Sequence, residues 1–379
     1  MNKIIFAAAA FLSCAACTGN KQEIVVSNDS QIDRTEEMVS IDATSLKVAS
    51  PGAFRILDAE GKELPYQLTY DNHIIFPASV KAGSNAVYTV TAGSPAVIDT
   101  LVWGRQFPER KDDMAWENDR SAYRAYGPAL QQSGERAFGY DIWTKSVSKP
   151  VLEKRFALDR NEGISFHVDH GEGMDVYAVG PTLGGGTTAL LDSLGNIVYP
   201  YCYQNYEILD NGPLRFTVRL DYGPVSVDGD TAVIEHRLIS LDRGSWLNRT
   251  EVNYEGLSHV ARLTPGIVVH RQNPTGYTLA EGYMAYADST ENAANGNGVI
   301  FVGVVSPESK DYMYQQLTEP AGDAIGHILA PVDYENGKTF TYYWGSGWSK
   351  GGMPDSDTWN AYLKTFSESL KSPLKVTVK

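Results

Sequence analysis

Charged and aromatic residues are concentrated in one stretch of the chain, residues 110–143. Within it, Arg120, Arg124 and Tyr126 are separated by four and two positions. In a strand these spacings place all three side chains on one face, and in a helix the two arginines still share a face. Neighbouring guanidinium groups repel each other unless an anion lies between them. That anion would be either an acidic side chain of the protein or a ligand carboxylate held by forked hydrogen bonds.

A second dense stretch, residues 166–187, contains two histidines beside carboxylates and a glycine-rich bend. We expect a strand over residues 163–168 that ends near His167, with His170 in the turn that follows. A histidine beside a carboxylate can act as a general base, and histidines with carboxylates can also bind a metal ion. The spacing of three positions would put the two rings on opposite faces of a strand, which counts against a shared metal ion. A catalytic role, a metal site and a hydrogen-bonded turn are all compatible with this stretch.

Two further candidates, Tyr206 and Arg215, flank a tight turn at Asn211-Gly212-Pro213, although an exposed strand face would explain Arg215 equally well. The predicted site residues fall into two groups. The catalytic candidates are His167, His170, Tyr126 and Tyr177, and the substrate-binding candidates are Arg120, Arg124, Tyr206, Arg215, Trp116 and Glu117. The sequence contains no HExxH metalloprotease motif and no phosphate-binding loop.

Residues 1–17 have the features of a lipoprotein export signal. The apolar run over residues 4–12 is too short to span a bilayer, and small residues lead into Cys17. The sequence Ala15-Ala16-Cys17 resembles a bacterial lipoprotein cleavage site, at which Cys17 would be lipidated. We therefore expect an exported protein that is lipid-anchored in the periplasm or at the outer-membrane surface. Residues 18–35 are polar and are predicted to form a flexible tether.

The net charge of −14 argues against nucleic acid and against an anionic membrane surface as partners. It does not exclude an anionic ligand, because local arginines dominate the field at short range. No protein partner can be inferred from the sequence.

Short alternating segments separated by turn residues predict a mostly β protein. Residues 36–98 have the rhythm of a small antiparallel β-sandwich. Longer strands follow over residues 99–379, among them 214–220, and a helical period is clear only over residues 357–370. The economical architecture for this second region is a large antiparallel β-supersandwich of the galactose-mutarotase type, which would carry the site.

Three segments together resemble a family of Bacteroidota secreted and lipid-anchored proteins, catalogued as domain of unknown function 4861. They are DDMAWENDRSAYRAYGPAL (112–130), FHVDHGEGMDVYAVGPTLGGG (166–186) and NYEILDNGPLRFTV (205–218). The resemblance covers essentially the whole mature chain. It implies a mutarotase-like large domain and a role beside enzymes that dismantle uronic-acid-containing polysaccharides. More weakly, it implies elimination at a uronic acid residue.

The resemblance therefore favours a carbohydrate-active lyase or dehydratase that acts on an oligosaccharide or polysaccharide containing uronic acid. Elimination needs a cation for the substrate carboxylate, a base and a proton donor. The predicted groups are the two arginines, one of the two histidines, and a tyrosine. No cofactor is firmly implied, although a divalent metal ion would be compatible. A glycoside hydrolase with two carboxylates, an aldose epimerase and a non-catalytic carbohydrate-binding lipoprotein are the alternatives.

Overall fold

The structure, a computed structural model, describes residues 21–47 and 52–379. In this part of the chain the regular structure is mostly antiparallel β-strand, which confirms the predicted fold class. The predicted export signal and the lipidation site at Cys17 lie outside the described residues. Over residues 21–47 and 52–379, no helix combines the length and the apolar character that crossing a membrane requires.

The first strands form a small sandwich around its own apolar core, which includes Ile24, Val26, Phe54 and Phe76. The strands are β1 (Gln22–Asn28), β2 (Arg34–Asp42), β3 (Phe54–Leu57), β4 (Glu63–Leu64), β5 (Gln67–Leu68), β6 (His73–Val80) and β7 (Ser84–Ala92). One sheet has the order β1-β7-β3-β4 and the other has the order β2-β6-β5.

The predicted tether over residues 18–35 is wrong where the structure describes it. Residues 22–28 form β1, in which Ile24 and Val26 are fully buried. One edge of β1 pairs with β7, and the other pairs with the C-terminal strand β27 (Lys375–Val378). The short apolar alternation in this segment is stabilised by partners that are distant in sequence, so local composition alone suggested a tether.

The residues of the candidate site are carried by a sheet with the order β11-β10-β9-β8. Its strands are β8 (Trp103–Phe107), β9 (Asp113–Glu117), β10 (Ala122–Ala125) and β11 (Asp141–Trp143). The short helix α1 (Pro128–Gln132) lies between β10 and β11, and α2 (Leu152–Glu162) follows β11. This sheet packs on the large core through aromatic rings. The ring centres of Tyr140 and Trp344 are 4.0 Å apart, and those of Tyr123 and Trp344 are 5.0 Å apart.

The predicted strand over residues 163–168 is wrong. Helix α2 ends at Glu162, Gly163 adopts a left-handed conformation (φ 67°), and an irregular segment continues to Gly184. The helix buries Leu152 and Phe156, which are spaced by one turn and pack against Trp143. Because the rest of α2 is largely charged, its helical period is too weak to recognise in the sequence.

Two sheets form the large sandwich. The first contains β12 (Gly185–Leu191), β13 (Ile197–Val198), β19 (Ala261–His270), β23 (Met313–Ala321), β24 (Ala324–Leu329) and β25 (Val332–Tyr334). The second contains β14 (Tyr203–Asn211), β15 (Arg215–Tyr222), β16 (Val225–Val227), β17 (Asp230–Asp242), β18 (Leu247–Glu255), β20 (Tyr277–Ala280), β21 (Tyr283–Asp288), β22 (Ile300–Val305) and β26 (Phe340–Trp348). Strands β12 and β19 face β21, β22 and β26 across the core.

The predicted late helix is confirmed as α3 (Ser356–Leu370). The side chain of Asp355 accepts a hydrogen bond from the Thr358 amide at 2.8 Å and so caps its first turn. The helix buries Trp359 and Leu363 against β21 and β22.

Candidate functional site

Arg124 lies among three buried carboxylates, and we call these four residues the Arg124 cluster (Asp113, Arg124, Asp141 and Asp175). Arg124 in β10 is the cross-strand partner of Asp141 at the start of β11, and Asp113 begins β9. Asp175 belongs to the irregular segment, which forms a backbone bridge to Trp143. The guanidinium lies 2.6 Å from Asp141 Oδ2, and 3.4 Å from Oδ2 of both Asp113 and Asp175. Strand pairing and one bridge thus bring together residues from three strands and one irregular segment.

The cluster contains more carboxyl groups than one arginine can neutralise, so burial acts strongly on their protonation. Burial raises the pKa of Asp113 to about 6, despite the opposing charge of Arg124. Burial, and then the charge of Asp141, raise the pKa of Asp175 well above its ordinary value. Asp141 is held as an acceptor by Trp143 Nε1 and the Ile142 amide, both at 2.8 Å. Asp113 can therefore exchange a proton near pH 6, and Asp175 keeps its proton to a higher pH than an ordinary aspartate does.

Two tyrosines flank the cluster. The Arg124 guanidinium lies 5.0 Å from the ring centre of Tyr126. Burial raises the pKa of both Tyr126 and Tyr177 well above the ordinary value, so both hydroxyls keep their protons and can donate them. The Tyr177 hydroxyl is buried and has no hydrogen-bond partner among the described residues. The charges of Asp288 and Asp141 also raise the pKa of Tyr177, so this residue lies within electrostatic reach of both carboxylates.

His167 adjoins the cluster and is oriented by it. Its Nδ1 lies 2.8 Å from the backbone oxygen of Asp175. Because a carbonyl oxygen only accepts hydrogen bonds, Nδ1 carries the proton and Nε2 is left as a proton acceptor. The side chain of His167 is half exposed, with 55% of its surface accessible. His170 instead directs Nε2 to the Ser165 oxygen at 3.1 Å, and the described contacts do not connect it to Arg124.

A buried histidine–aspartate pair, His270 and Asp288, lies near Tyr177. Nδ1 of His270 is 2.6 Å from Asp288 Oδ2, and the ring centre of His270 is 6.1 Å from that of Tyr177. The Thr290 amide donates to Asp288 Oδ1 at 2.7 Å and fixes the carboxylate. This geometry again makes Nε2 the accepting nitrogen of the imidazole. Tyr177 thus connects two groups that are capable of acid–base chemistry.

The predicted convergence of Arg120 with Arg124 is wrong. The Asn118 side chain accepts hydrogen bonds from the backbone amides of Arg120 and Ser121 at 2.8 and 3.1 Å, which forms a turn before β10. The turn interrupts the strand alternation on which the prediction depended. Arg120 lies instead over Trp246, 5.2 Å from its ring centre, and is 3.6 Å from Asp119.

The prediction that Trp116 and Glu117 bind substrate is also corrected, because both are fully buried. Trp116 Nε1 donates to Asn248 at 2.8 Å within the core. Glu117 accepts from Lys145 Nζ at 2.6 Å and from the backbone amides that begin α2. Their polar atoms are occupied by the protein, which leaves no surface for a ligand.

Tyr206 and Arg215 lie apart from the Arg124 cluster. Arg215 forms a two-pronged ion pair with Asp242 at 2.6 and 2.8 Å. Tyr206 is an exposed residue of β14, with its ring centre 6.0 Å from that of Tyr203. Arg215 is thereby committed to a protein partner, whereas the Tyr206 ring remains accessible. Over residues 21–47 and 52–379, no group of three or more His, Cys, Asp and Glu side chains is arranged to hold a metal ion.

Sequence reasoning missed the roles of Asp141, His270 and Asp288. Asp141 was recognisable in principle, because it would face Arg124 once β10 and β11 were paired in register. The His270–Asp288 pair joins β19 to β21, which belong to different sheets. No local spacing in the sequence reports such a contact.

The fold and the site define a mostly β protein whose large sandwich adjoins a buried acid–base cluster. The chain belongs to the family described as "Domain of unknown function (DUF4861)", whose family model matches residues 26–376. The resemblance carried by the three sequence segments is therefore confirmed. A relative from Formosa agariphila, described as "Uncharacterized protein P7", is 26% identical over 398 aligned residues, covering 99% of this chain and 98% of the relative.

Two solved structures from Enterococcus faecalis match this chain at 10% sequence identity. One is an alpha-mannosidase from strain V583, with a TM-score of 0.47 and coverage of 95% of this chain and 46% of that one. The other is a protein in the glycosyl hydrolase family 38, with a TM-score of 0.50 and coverage of 95% and 47%. This chain thus spans about half the length of the solved structures that it matches. At 10% identity, the match to the glycosyl hydrolase family 38 protein shows a similarity of fold alone.

Proposed function

We propose that the protein is a carbohydrate-active enzyme that performs an elimination, as a lyase or dehydratase, at a uronic acid residue of an oligosaccharide. The observation that carries this proposal is the arrangement around Tyr177. Its buried hydroxyl has no hydrogen-bond partner among the described residues, the charges of Asp288 and Asp141 reach it, and its ring centre is 6.1 Å from that of His270. We further propose that the protein is exported and lipid-anchored through Cys17.

The proposed reaction uses three kinds of group. A histidine Nε2, of His167 or His270, removes the proton from the carbon next to the uronate carboxylate. The electrons of that C–H bond form a carbon–carbon double bond, and the bond from the neighbouring carbon to its oxygen substituent breaks. Tyr177 gives its proton to the departing oxygen. The carboxyl group of Asp175, whose raised pKa favours its protonated form, donates a hydrogen bond that stabilises charge on the substrate carboxylate.

The test is to incubate the protein with a panel of uronic acid oligosaccharides and follow the ultraviolet absorbance of the conjugated double bond. We expect the absorbance to rise with the wild type. Tyr177→Phe should lower kcat by about 10²-fold or more, since general acid catalysis contributes roughly 10²–10⁴-fold. His167→Asn and His270→Asn identify which histidine is the base. His73→Asn, in the small sandwich, is the matched control and should retain full activity.

A glycoside hydrolase is the second candidate, because Asp113 and Asp175 are two carboxyl groups with raised pKa values beside one arginine. Reducing ends that appear without the absorbance change would establish hydrolysis in place of elimination. Inversion at a sugar carbon without bond cleavage would indicate an epimerase. Oligosaccharide binding without any turnover would leave a carbohydrate-binding lipoprotein.

A further inference from the structure

Arg124 alone does not provide a free positive charge for the carboxylate of an acidic substrate. Arg124 already contacts three carboxyl groups, of which Asp141 lies at 2.6 Å. A substrate carboxylate that approached Arg124 would meet the charge of Asp141, and also that of Asp113 above its pKa of about 6, and like charges at close range repel. Recognition of an anionic sugar therefore needs a second cation near the cluster whose charge is not already neutralised.

Arg110 has the required position. It ends a 3₁₀ turn (Pro108–Arg110) and is joined to Asp113 by Lys111 and Asp112, whose φ angles are 56° and 64°. Two consecutive left-handed residues other than glycine are uncommon, and such backbone strain clusters at functional sites.

The surrounding structure holds the strained link in place. Gln106 Nε2 donates to Asp112 Oδ1 at 2.9 Å, and the Tyr203 hydroxyl donates to the Asp112 backbone oxygen. Gly127 packs so closely that a Cβ atom there would lie 1.9 Å from the Asp112 backbone oxygen. The turn therefore fixes the relation between the arginine at one end and the cluster carboxylate at the other.

The guanidinium of Arg110 is held by aromatic rings and not by a carboxylate. It lies 4.8 Å from the ring centre of Phe166 and 5.8 Å from that of Phe156. Among the described residues Arg110 has no ion pair, and its buried Nε has no hydrogen-bond partner. Its charge nevertheless lowers the pKa of both Asp113 and Asp175, against the larger effect of burial, so it lies within electrostatic reach of the cluster.

Phe166 lies close both to Arg110 and to a proton acceptor, His167. The ring of His167 lies 4.6 Å from the ring of Phe166, and its Nε2 is the accepting nitrogen. We propose that Arg110 binds the carboxylate of an anionic sugar residue and holds it next to His167 and the Arg124 cluster. The nature of the substrate rests on the proposed function, but the binding role of Arg110 can be tested without turnover.

The experiment measures binding by calorimetry with oligogalacturonate, oligoglucuronate and their carboxyl-reduced counterparts. Arg110→Met removes the charge and retains an apolar stem over Phe166. We expect the Kd for a bound uronate to rise by about tenfold or more, as loss of a charge-assisted hydrogen bond predicts. Binding of the carboxyl-reduced oligosaccharides should be the same in the variant and the wild type. Arg110→Lys should restore part of the affinity.

Arg136→Met is the matched control, because Arg136 also lies over an aromatic ring, 5.5 Å from the centre of Phe138. Thermal melting of each variant shows whether it is folded. The inference is overturned if Arg110→Met binds uronates as the wild type does, or if Arg136→Met loses as much affinity. It is also overturned if the wild type binds none of the uronates, or binds a sulfated neutral oligosaccharide equally well.

The two proposals fail in different ways. Uronate binding that depends on Arg110 without any elimination would refute the proposed reaction and support the inference. If elimination occurs and its kcat/KM is the same in Arg110→Met and the wild type, the proposed reaction is supported and the binding role of Arg110 is refuted.

Discussion

Asp113 is buried, so its ionisation in the folded protein costs free energy. Its pKa in the fold is about 6, against an ordinary value of 3.8. Between these two values the folded protein binds more protons than the unfolded chain does. The free energy of unfolding therefore falls as pH rises through this window. The loss is roughly 3 kcal/mol at most, at 1.36 kcal/mol per pKa unit.

Asp113→Asn removes this titration, so we expect the variant to gain stability relative to the wild type as pH rises from about 4 to about 7. Urea unfolding at several pH values measures the difference. Asp33→Asn is the control of opposite sign below about pH 4, because hydrogen bonds from Lys81 and Ala82 lower the pKa of this exposed carboxyl. Parallel stability curves for the wild type and Asp113→Asn would contradict the assigned pKa.

Part of the site can be predicted from the residues alone. The sequence predicted Arg124, Tyr126, Tyr177 and His167 as candidates from charge and aromatic density, which are local properties, and their roles stay predictions. It failed at Arg120, since the face rule holds only within a strand and β10 begins at Ala122. The partners of Arg124 could not be assigned without the strand register and the bridge that brings in Asp175.

At the scale of single elements, the first turn of helix α2 is bound by a buried carboxylate of strand β9, that of Glu117. The backbone amides of Val151 and Leu152 donate to Glu117 Oε1, each at 2.9 Å. Lys145 Nζ lies 2.6 Å from Glu117 Oε2, and both side chains are almost fully buried. One carboxylate therefore serves as a counterion and as the acceptor for the first turn of a helix.

We expect Glu117→Gln to lower the free energy of unfolding by about 3–5 kcal/mol, because it leaves the charge of Lys145 buried without a counterion. Denaturant unfolding measures the loss, and the added change Lys145→Met should restore part of it. Glu172→Gln is the matched control. Glu172 pairs with the exposed Lys149 and Lys154, so it should cost less than about 1 kcal/mol. A similar loss in both variants would refute the distinction.

Strands were easier to predict than helices in this chain. The alternation over residues 214–220 is confirmed in β15 (Arg215–Tyr222), where Phe216, Val218 and Leu220 are buried. The period of α3 is also confirmed, because its apolar face is wide. Helix α2 was missed because tertiary contacts with Trp143 and the Glu117 carboxylate stabilise it more than its own pattern does.

At the scale of the whole molecule, hydrogen bonds connect the small sandwich to the large one. Gln67 accepts from the backbone amides of Leu214 and Arg215, each at 2.9 Å, and donates to the Arg215 oxygen at 3.2 Å. Asp210 accepts from the Tyr70 amide at 2.8 Å. The Asn211–Pro213 turn, flanked by Tyr206 and Arg215 in the sequence, thus provides a contact between the two sandwiches.

Removal of residues 375–379 should destabilise the small sandwich while the large one stays folded. Strand β27 pairs with β1 and packs Val376 and Val378 against the small core. Each half-buried valine contributes roughly 1 kcal/mol. Hydrogen exchange should therefore speed up in β1 and β7 and remain slow in β17 and β18. Lys375→Ala, which removes only an exposed pair with Asp29, is the control. Uniform acceleration across both sandwiches would contradict independent stability.

The pairing of β1 with β27 also sets an order of events during synthesis. Chains usually fold from the N-terminus as they emerge from the ribosome. Here the sheet of the small sandwich cannot gain its outer strand until β27 has been translated. One edge of β1 therefore stays open while the large sandwich, which lies between β1 and β27 in the chain, already has all of its own strands available. The small sandwich is begun before the large one and completed after it.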